Sequence, residues 1–456
     1  MATTDSRYTD PREIIDQSAM TVAQFIVVAM TVLLNAMDGF DVLSIAFASP
    51  GIAKEWHIAQ TALGVVLSME LIGMAFGSIL IGGVADRIGR RPTLLGCLVV
   101  MAVGMLGATT AASPIQLSIW RVFTGFGIGG MLSGTNAVVA EFSNKKWRAL
   151  CISLMVIGYP LGGTFGGMFA SRLLKTHDWR AVFYFGATAT VILLPLLFFF
   201  VPESLHWLTR KQPANALARI NHALKRLGHT QVSGLPEVHE SDRRKSVGDI
   251  FSPGLISITL LVTAAYFLHI ITFYFILKWT PKIVADMGFP ASAAGGVLTW
   301  ANFGGALGGA VFGLLTARIG LKPLTIGILV FTAIGVAIFG RTPANLDTMA
   351  WLAGFAGFFG NAGVSGLYSI VAYAFPTHVR ATGTGFVIGV GRGGAVLAPI
   401  LAGFLLEKGF GLPTVGLTMG AGSLLAAFVL IFLKVGTSRP VQAKDRKAPA
   451  MQPRVA

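Results

Sequence analysis

The sequence of 456 residues contains little cysteine and little charge. Its two cysteines, Cys97 and Cys151, each lie inside an apolar run, which excludes a disulfide framework and a cysteine-based metal site. Charged residues make up 12% of the chain, whereas soluble proteins usually carry about 25%. With 54% hydrophobic residues and a mean hydropathy of +0.71, the composition indicates a protein embedded in a lipid bilayer.

Two further features are missing. The net charge is +15, but the basic residues form no stripe or patch of the kind that binds nucleic acid; they lie in short segments between apolar runs. The first 20 residues are polar and partly acidic, without the basic start and short apolar core of a signal peptide. We therefore expect no nucleic-acid partner and a first span that stays in the mature protein.

Apolar windows long enough to cross a bilayer, at about 1.5 Å per residue, recur twelve times. They begin near Gln24, Ala62, Thr93, Gln116, Ala149 and Ala181, and then near Gly254, Ala293, Leu324, Asp347, Thr382 and Pro413. The pattern predicts an all-α membrane protein with twelve transmembrane helices in two six-helix bundles, 23–201 and 254–434. The remaining segments are predicted as a tail at 1–22, a linker at 202–253 with a surface helix through 214–227, and a tail at 435–456.

Lysine and arginine alternate from loop to loop. One set of loops carries groups of them: Arg87, Arg90 and Arg91; Lys145, Lys146 and Arg148; the linker; Arg318 and Lys322; Arg380; and the final tail. The opposite loops carry scattered ones, namely Lys54, Lys175, Lys282 and Lys408. Because cytoplasmic loops are enriched in basic residues, both termini are predicted to be cytoplasmic, in an inner (plasma) membrane.

The two halves repeat each other. The segment GGVADRIGRRP at 82–92 aligns with GLLTARIGLKP at 313–323. A second repeat matches 148–149 and 162–163 with 380–381 and 393–394. Many secondary transporters are built from repeated halves that alternate around a midplane site, so pseudo-symmetric bundles are predicted.

The segment 82–91 has the form G-x-x-x-D-R-x-G-R-R. Gly82 and Gly89 are expected to allow tight turning and close helix approach, and Asp86 to pair with an arginine or cap a helix. Arg87, Arg90 and Arg91 would hold the loop at the anionic cytoplasmic face. The second copy has Ala317 in place of the aspartate, which predicts weaker pairing there.

This segment resembles the loop between the second and third spans of the major facilitator superfamily. Fragments elsewhere resemble it too: Arg121 with Gly125, Gly127 and Gly129, the stretch GYPLGG at 158–163, Trp179-Arg180, and Pro202-Glu203-Ser204. The stretches DGFD at 38–41, FPTHVRATG at 375–383 and GVGRGG at 389–394 further resemble the aromatic acid:proton symporter family. This resemblance, over about residues 38 to 402, implies the major facilitator fold and uptake of benzoate-type carboxylates with protons. Asn144, where a proline is usual, and the unexpected Glu70 depart from the family pattern.

Ionisable residues inside a bilayer cost about 2.5–3.5 kcal/mol each and indicate a function. Asp38 and Asp41 lie three residues apart, on one face of their helix. Because two neighbouring acids can divide pairing and proton exchange between them, we predict that they couple transport to protons, with Asp41 preferred. The alternative is that they only pair with Arg121. Glu70 is either a proton relay or a buried hydrogen-bonding group.

Arg392, about ten residues into the eleventh span, lies near the midplane, where a guanidinium is tolerated in a cavity. Its planar fork suits a carboxylate, so it is predicted to bind the substrate anion; a structural pair between helices is the alternative. Arg121 is the second candidate. The aromatic residues Phe40, Tyr266 and Trp300 are predicted to stack on a flat substrate at about 0.5–1.5 kcal/mol each.

Glu141, at the cytoplasmic end of the fourth span, is predicted to form an inner gate with Arg148 or Arg380, together with the loop 82–91 and Arg318. His269 in the seventh span could titrate near neutral pH, although a lone histidine on a helix is more often a packing residue.

These patterns together predict a monomeric, proton-coupled importer of an aromatic carboxylate such as a benzoate or hydroxybenzoate. No enzymatic chemistry, cofactor or metal is expected; the partners are the anion, the proton and the bilayer. The alternatives are a transporter of another small organic acid, a proton-coupled drug exporter, and a membrane receptor that does not transport. A drug exporter would favour acidic cavity groups without a midplane arginine, and a receptor would need signalling parts in the linker or tail.

Overall fold

The computed structural model describes residues 10–235, 247–316, 318–376 and 379–433, except for the side chains of residues 149, 247, 249, 380 and 381. Within these residues twelve helices are long and apolar enough to cross a membrane. The first six are α2 (Val22–Trp56), α3 (Gln60–Ile88), α4 (Arg90–Thr109), α5 (Pro114–Phe142), α6 (Arg148–Leu173) and α7 (Arg180–Phe200). The second six are α10 (Ile256–Asp286), α11 (Ala291–Leu315), α12 (Leu321–Phe339), α13 (Leu346–Ala374), α14 (Arg380–Glu407) and α15 (Leu412–Phe432). The twelve predicted spans are confirmed.

Several helices exceed the roughly 20 residues that a bilayer requires. α2 has 35 residues and α10 has 31, so both continue past the apolar window from which they were predicted. Lys282, which was predicted to lie in a loop, is therefore inside α10, and the same holds for Lys54 in α2. The added turns place charged residues on rigid helices instead of loops.

The two bundles repeat the same packing. In the first, the close pairs are α3–α5, α2–α6, α4–α5 and α4–α7; in the second they are α11–α13, α10–α14, α12–α13 and α12–α15. Small residues make this possible: a Cβ at Gly125 of α5 would collide with the backbone of Glu70, and one at Gly304 of α11 with Gly354. The predicted pseudo-symmetry of two six-helix bundles is confirmed.

Four shorter helices of the described residues lie outside the spans. α1 (Pro11–Gln17) precedes the first bundle, and α8 (Leu205–Lys211), α9 (Ala216–Arg226) and a 3₁₀ helix (Val247–Phe251) follow it. α9 falls inside the segment predicted as a surface helix and buries Ile220 and Leu224. α1 and α8 were not predicted, because seven residues are too few to show a period. The end of the protein that carries α1, α8 and α9 is called the linker end, and the opposite end the far end.

The bundles meet through α3–α14, α6–α11 and α2–α10. The contacts lie in the far half: Ser68 Oγ donates to the Val396 carbonyl at 2.7 Å, and the Thr61 amide donates to Glu407 at 2.9 Å. A Cβ at Gly64 would meet the Pro399 backbone. In the linker half, a Cβ added at Gly82 of α3, or at Gly385 or Gly389 of α14, would meet nothing within 4 Å. The protein is thus closed at the far end and open between the bundles at the linker end.

Candidate functional site

Three acidic and two basic side chains from four helices are fully buried near the middle of the protein: Asp38 and Asp41 of α2, Glu70 of α3, Arg121 of α5 and Lys278 of α10. Arg392 of α14 lies beside them, since its charge and that of Asp41 both act on Asp38. We call these six residues the central cluster. Their charges cancel when all six are ionised, which is how so many charged groups can be accommodated away from water.

Arg121 holds the far part of the central cluster together. Its guanidinium lies 2.5 Å from the Glu70 carboxylate and donates to the Asp41 carbonyl at 2.8 Å. It also contacts Met105 Sδ at 3.1 Å and lies 5.3 Å from the centre of the Phe183 ring. Glu70 is therefore a buried pairing group in this state.

Asp38 and Asp41 were predicted to pair with Arg121 if their role were structural. Neither does so through its carboxylate: all four carboxylate oxygens are buried without a hydrogen-bond partner. Leaving an ionised carboxylate unpaired in such a place would cost several kcal/mol. The two aspartates are therefore candidates for carrying a proton in this state.

Lys278 was missed by the sequence reasoning. Its ammonium donates to the Val42 carbonyl of α2 and lies 3.6 Å from the Glu70 carboxylate, with no exposed surface. The signal was present, because a lysine inside the apolar run FYFILKW is as anomalous as an aspartate in a span. The sequence did not show that α10 extends to Asp286, so Lys278 could be taken for a residue at the end of the span, where a lysine is ordinary.

Arg392 is only partly buried as a residue, and its Nη1 atom is buried without a hydrogen-bond partner. Among the described residues Arg392 forms no ion pair. This argues against the alternative role, a structural pair between helices. The positive charge of Arg392 is close enough to act on the hydroxyl groups of Tyr266 and Tyr274. Arg392 is thus a cation with free donors next to phenol groups.

Four of the seven tyrosines form one group: Tyr266 and Tyr274 lie near Arg392, Tyr368 contacts Tyr266, and Tyr159 contacts Tyr274. The Tyr266 and Tyr368 hydroxyls lie 3.2 Å apart, with ring centres separated by 5.6 Å. Tyr266, predicted to stack on the substrate, lies near Arg392, and Tyr368 was not predicted. The wall near Arg392 offers both aromatic faces and hydroxyl groups.

The other two predicted aromatic residues, Phe40 and Trp300, do not join the group of tyrosines. The Phe40 ring packs on Phe185, with ring centres 5.1 Å apart, inside the first bundle. Trp300 is 45% exposed on the outer surface of α11 and packs on Trp351. The Phe40 ring and the Asp41 carboxylate both face Gly186 of α7, so Phe40 lies next to the central cluster but on its side inside the first bundle. The sequence could not tell which face of each helix points inward.

His269 was open to two interpretations. It is fully buried, and its two ring nitrogens contact Ser423 Oγ at 2.8 Å and the Gly360 carbonyl at 2.9 Å. Both nitrogens are occupied by neighbours of the second bundle, which favours the packing role.

A second charged network lies at the linker end around Gly89, the residue between α3 and α4. Gly89 has φ of +113°, a conformation that suits glycine, and a Cβ there would collide with the Glu203 carboxylate. Glu203 accepts hydrogen bonds from the amides of Arg90 at 2.8 Å and Arg91 at 3.3 Å, so it caps the N-terminus of α4. Burial raises the pKa of the Glu203 carboxyl above its ordinary value.

The motif residues pair within the first bundle. Asp86 lies 3.0 Å from Arg90 and 3.2 Å from Arg210, as expected for pairing with an arginine. The Arg91 guanidinium donates to the Phe198 carbonyl at 2.5 Å, and Arg87 is exposed. Gly82, in contrast, lies inside α3 next to empty space, so the close approach expected there is absent in this state.

Of the two partners predicted for Glu141, Arg148 is wrong in the state that the structure describes, and Arg380 stays a prediction. Glu141 lies 3.5 Å from Arg90 and accepts a hydrogen bond from Ser204, whereas Arg148 pairs with Asp16 of α1. Arg318 is exposed in the turn before α12. The side chain of Arg380, the other proposed partner, and Ala317 lie outside the described residues. Within those residues, this network joins the first bundle to the linker and the N-terminal helix and does not cross to the second bundle.

The fold resembles solved membrane transporters. The chain superposes on the xylose transporter XylE from Escherichia coli in a partially occluded inward-open conformation, with a TM-score of 0.71, 16% identity, and coverage of 92% of this chain and 100% of that one. It also superposes on a bacterial homologue of the human lysosomal transporter Spinster in an inward-facing, occupied conformation, with a TM-score of 0.70, 15% identity, and coverage of 91% and 97%. At these identities the likeness shows the fold alone, which is that of a twelve-helix transporter.

The sequence defines the family. A family model described as Major Facilitator Superfamily matches residues 28–295 and 262–455. The chain belongs to the Major Facilitator Superfamily, a family of transporters and not of enzymes. It is 28% identical to a gallate transporter of Pseudomonas putida, over 92% of this chain and 94% of that one. It is also 28% identical to a 4-hydroxybenzoate transporter of Acinetobacter baylyi, over 93% and 94%, and to a 3-(3-hydroxy-phenyl)propionate transporter of Escherichia coli, over 90% and 94%.

Proposed function

We propose that this protein imports a hydroxylated aromatic carboxylate together with protons. The observation that carries the proposal is the central cluster: Arg392 has free donors beside a group of tyrosines, and Asp38 and Asp41 are buried without partners. Relatives that carry gallate, 4-hydroxybenzoate and 3-(3-hydroxy-phenyl)propionate by name support this substrate class.

The charge of the central cluster explains why anion and proton would move together. With three acids and three bases ionised, the site is neutral; one proton on Asp41 or Asp38 leaves a net positive charge. A monovalent carboxylate bound to Arg392 cancels that charge. Because an uncompensated buried charge is costly, the site favours being occupied by both ions or by neither. Asp41 is the preferred proton carrier, and Asp38, nearer to Arg392, would sense the bound anion.

Arg392 and the tyrosines divide recognition between the two ends of the substrate. A guanidinium fork binds a carboxylate through two parallel hydrogen bonds, and the tyrosine rings supply a flat apolar wall. The hydroxyls of Tyr266 and Tyr368 can exchange hydrogen bonds with ring hydroxyls of the substrate. This arrangement favours hydroxybenzoates over unsubstituted benzoate.

The orientation in the membrane follows from the basic residues. The linker end carries Arg87, Arg90, Arg91, Lys145, Lys146, Arg210 and Lys211, and we place it in the cytoplasm of a bacterial cell, with the chain crossing the inner membrane. The state described is then inward-facing: its cavity opens to the cytoplasm and its far half is sealed. Both termini would be cytoplasmic. All six charged residues of the site come from one chain, which fits a monomer.

A direct test is uptake of radiolabelled benzoate, 4-hydroxybenzoate, gallate, 3-phenylpropionate and an aliphatic acid into cells, with and without an uncoupler. We expect uncoupler-sensitive accumulation of the hydroxylated aromatic acids. Asp41→Asn should abolish accumulation against a gradient while retaining exchange of labelled for unlabelled substrate. Uncoupler-sensitive accumulation that survives in Asp41→Asn would refute the role of Asp41, and failure of every aromatic acid to enter would refute the substrate class.

A drug exporter on the same scaffold is disfavoured by Arg392, because this arginine has no acidic partner among the described residues and would repel a cationic drug. If the protein exported such drugs, its deletion would raise cellular accumulation of a cationic dye, and we expect no such change.

A further inference from the structure

Lys278 joins the two bundles. It belongs to α10 of the second bundle, but both of its partners, the Val42 carbonyl and the Glu70 carboxylate, belong to the first. Among the described residues, Lys278–Glu70 is the one ion pair between the bundles. The lysine has no exposed surface, so both contacts are made without competition from water.

These contacts lie in the half of the protein that is closed. Glu70 is on the same helix as Ser68, which donates to the Val396 carbonyl across the interface. Opening the far half moves α3 away from α14, and α2 away from α10. Lys278 cannot keep Val42 and Glu70 as partners once the bundles separate there.

The two members of the pair are affected unequally by this separation. Glu70 keeps Arg121, which lies 2.5 Å away on α5 of the same bundle. Lys278 has no such second partner within the described part of the chain: Lys282 and Asp286, one and two turns further along α10, pair with each other. Separation thus leaves an unpaired ammonium on the wall of a cavity that opens toward the arriving anion.

We propose that Lys278 exchanges partners during the cycle, binding Glu70 and Val42 when the far half is closed and the carboxylate of the incoming substrate when it is open. This inference rests on the proposed function. Closure returns Glu70 to Lys278, which displaces the substrate carboxylate toward Arg392, nearer the linker end. Within the central cluster, Lys278 is then the first cation that binds the anion and Arg392 the last.

The experiment combines two measurements on one set of variants. Cys97 and Cys151 are replaced by serine, and Ser68→Cys provides a single thiol in the closed interface. Labelling of this thiol by a membrane-impermeant maleimide added outside, without substrate, reports opening of the far half. Counterflow of 4-hydroxybenzoate in proteoliposomes gives KM without requiring a proton gradient.

Lys278→Gln should speed labelling, because the bond between the bundles is lost, and raise KM by about tenfold or more, as expected for loss of a charged contact. Glu70→Gln should also speed labelling, because it removes the same ion pair between the bundles from the side of α3. Lys278→Arg should keep KM within about threefold, since it retains the cation. Lys282→Gln is the matched control on the same helix and should change neither measurement.

Unchanged labelling in Lys278→Gln overturns the proposal. Faster labelling of Lys278→Gln with an unchanged or lower KM also overturns it. That result would mean that Lys278 only holds the far half closed, because its removal would then increase the population that can accept substrate. These failures concern Lys278 alone. Lack of transport of any aromatic carboxylate by the unsubstituted protein is a different result, which overturns the proposed function and the exchange with it.

Discussion

Arg121 pairs with Glu70, at 2.5 Å between Nη2 and Oε2, and offers its remaining contacts to a backbone carbonyl and a sulfur. The arginine that the sequence suggested as a partner for Asp38 and Asp41 is thereby committed to a third acid. In the proposed mechanism, structural pairing and proton exchange therefore fall to different carboxylates. This separation leaves the two aspartates free to change protonation without disturbing the helix packing.

Arg121→Gln should destabilise the protein by about 3–5 kcal/mol, because removal of one member of a buried ion pair leaves the other charged and poorly compensated. Thermal unfolding followed by the monodisperse fraction in detergent measures the change. The double variant Arg121→Gln with Glu70→Gln should be more stable than Arg121→Gln alone. A double variant as unstable as the sum of the two single variants would contradict the pairing.

Tyr368→Phe should discriminate between substrates. Loss of a neutral hydrogen bond worth about 0.5–1.5 kcal/mol raises KM for 4-hydroxybenzoate roughly two- to tenfold, with little effect on KM for benzoate. Tyr373→Phe is the matched control, because this tyrosine lies on the same helix and is 69% exposed. Equal effects on both substrates would show that the hydroxyl does not contact the ring substituent.

Gly389→Val should stop transport without lowering stability. A Cβ at Gly389 meets nothing within 4 Å in the present state, yet α14 must approach α3 here when the linker half closes. We expect turnover to fall by about tenfold or more, as a clash of a few kcal/mol in the closed state implies, with an unchanged unfolding temperature. The variant should remain open toward the linker end in cysteine-labelling assays.

Gly403→Val supplies the contrast, because its side chain would collide with the Gln60 backbone in the closed far half. It should destabilise the state described here and favour labelling from the far side. If both glycine variants behaved alike, the assignment of an open and a closed half would be wrong.

The linker end should respond to acid through His206. Burial lowers the pKa of this histidine below its ordinary value of about 6.5, and Glu141, Arg12, Asp16 and Arg148 also act on it. The unfolded chain therefore binds the proton more readily than the folded one, and stability is lost as the pH falls below about 6.5 toward the folded pKa. His206→Gln should reduce the loss of thermal stability between about pH 7.5 and 5.5. An identical loss in both proteins would contradict this.

Much of the fold could be predicted from the sequence. Every span begins within three residues of its predicted start, because a run of about 20 apolar residues has few alternatives in a bilayer. The repeat of 82–92 at 313–323 indicated the pseudo-symmetry, because equivalent turns join equivalent helices. α1 and α8 escaped prediction, since helices of seven residues depend on their contacts more than on their own sequence.

Prediction of the site was limited because the sequence does not show which face of each helix points toward the centre of the protein. Asp38, Asp41, Glu70, Arg121 and Arg392 could be singled out because charge inside an apolar run is anomalous wherever it points. Aromatic residues carry no such signal: Tyr266 lies beside Arg392, but Trp300 faces outward, and Tyr368 was overlooked. An apolar ring is tolerated by lipid, by the helix interface and by a cavity, so its place depends on the neighbouring helices.

The sequence alone determined which residues lie in the bilayer, how often the chain crosses it and which charges must find partners there, because the cost of exposing charge and backbone to hydrocarbon acts on each segment separately. The tertiary structure decided the partners. Glu70 rather than an aspartate pairs with Arg121, Lys278 crosses between the bundles, and the far half is the closed one. These outcomes depend on distances between helices that are remote in the chain, and a pairing at 2.5 Å cannot be inferred from the positions of its members along the sequence.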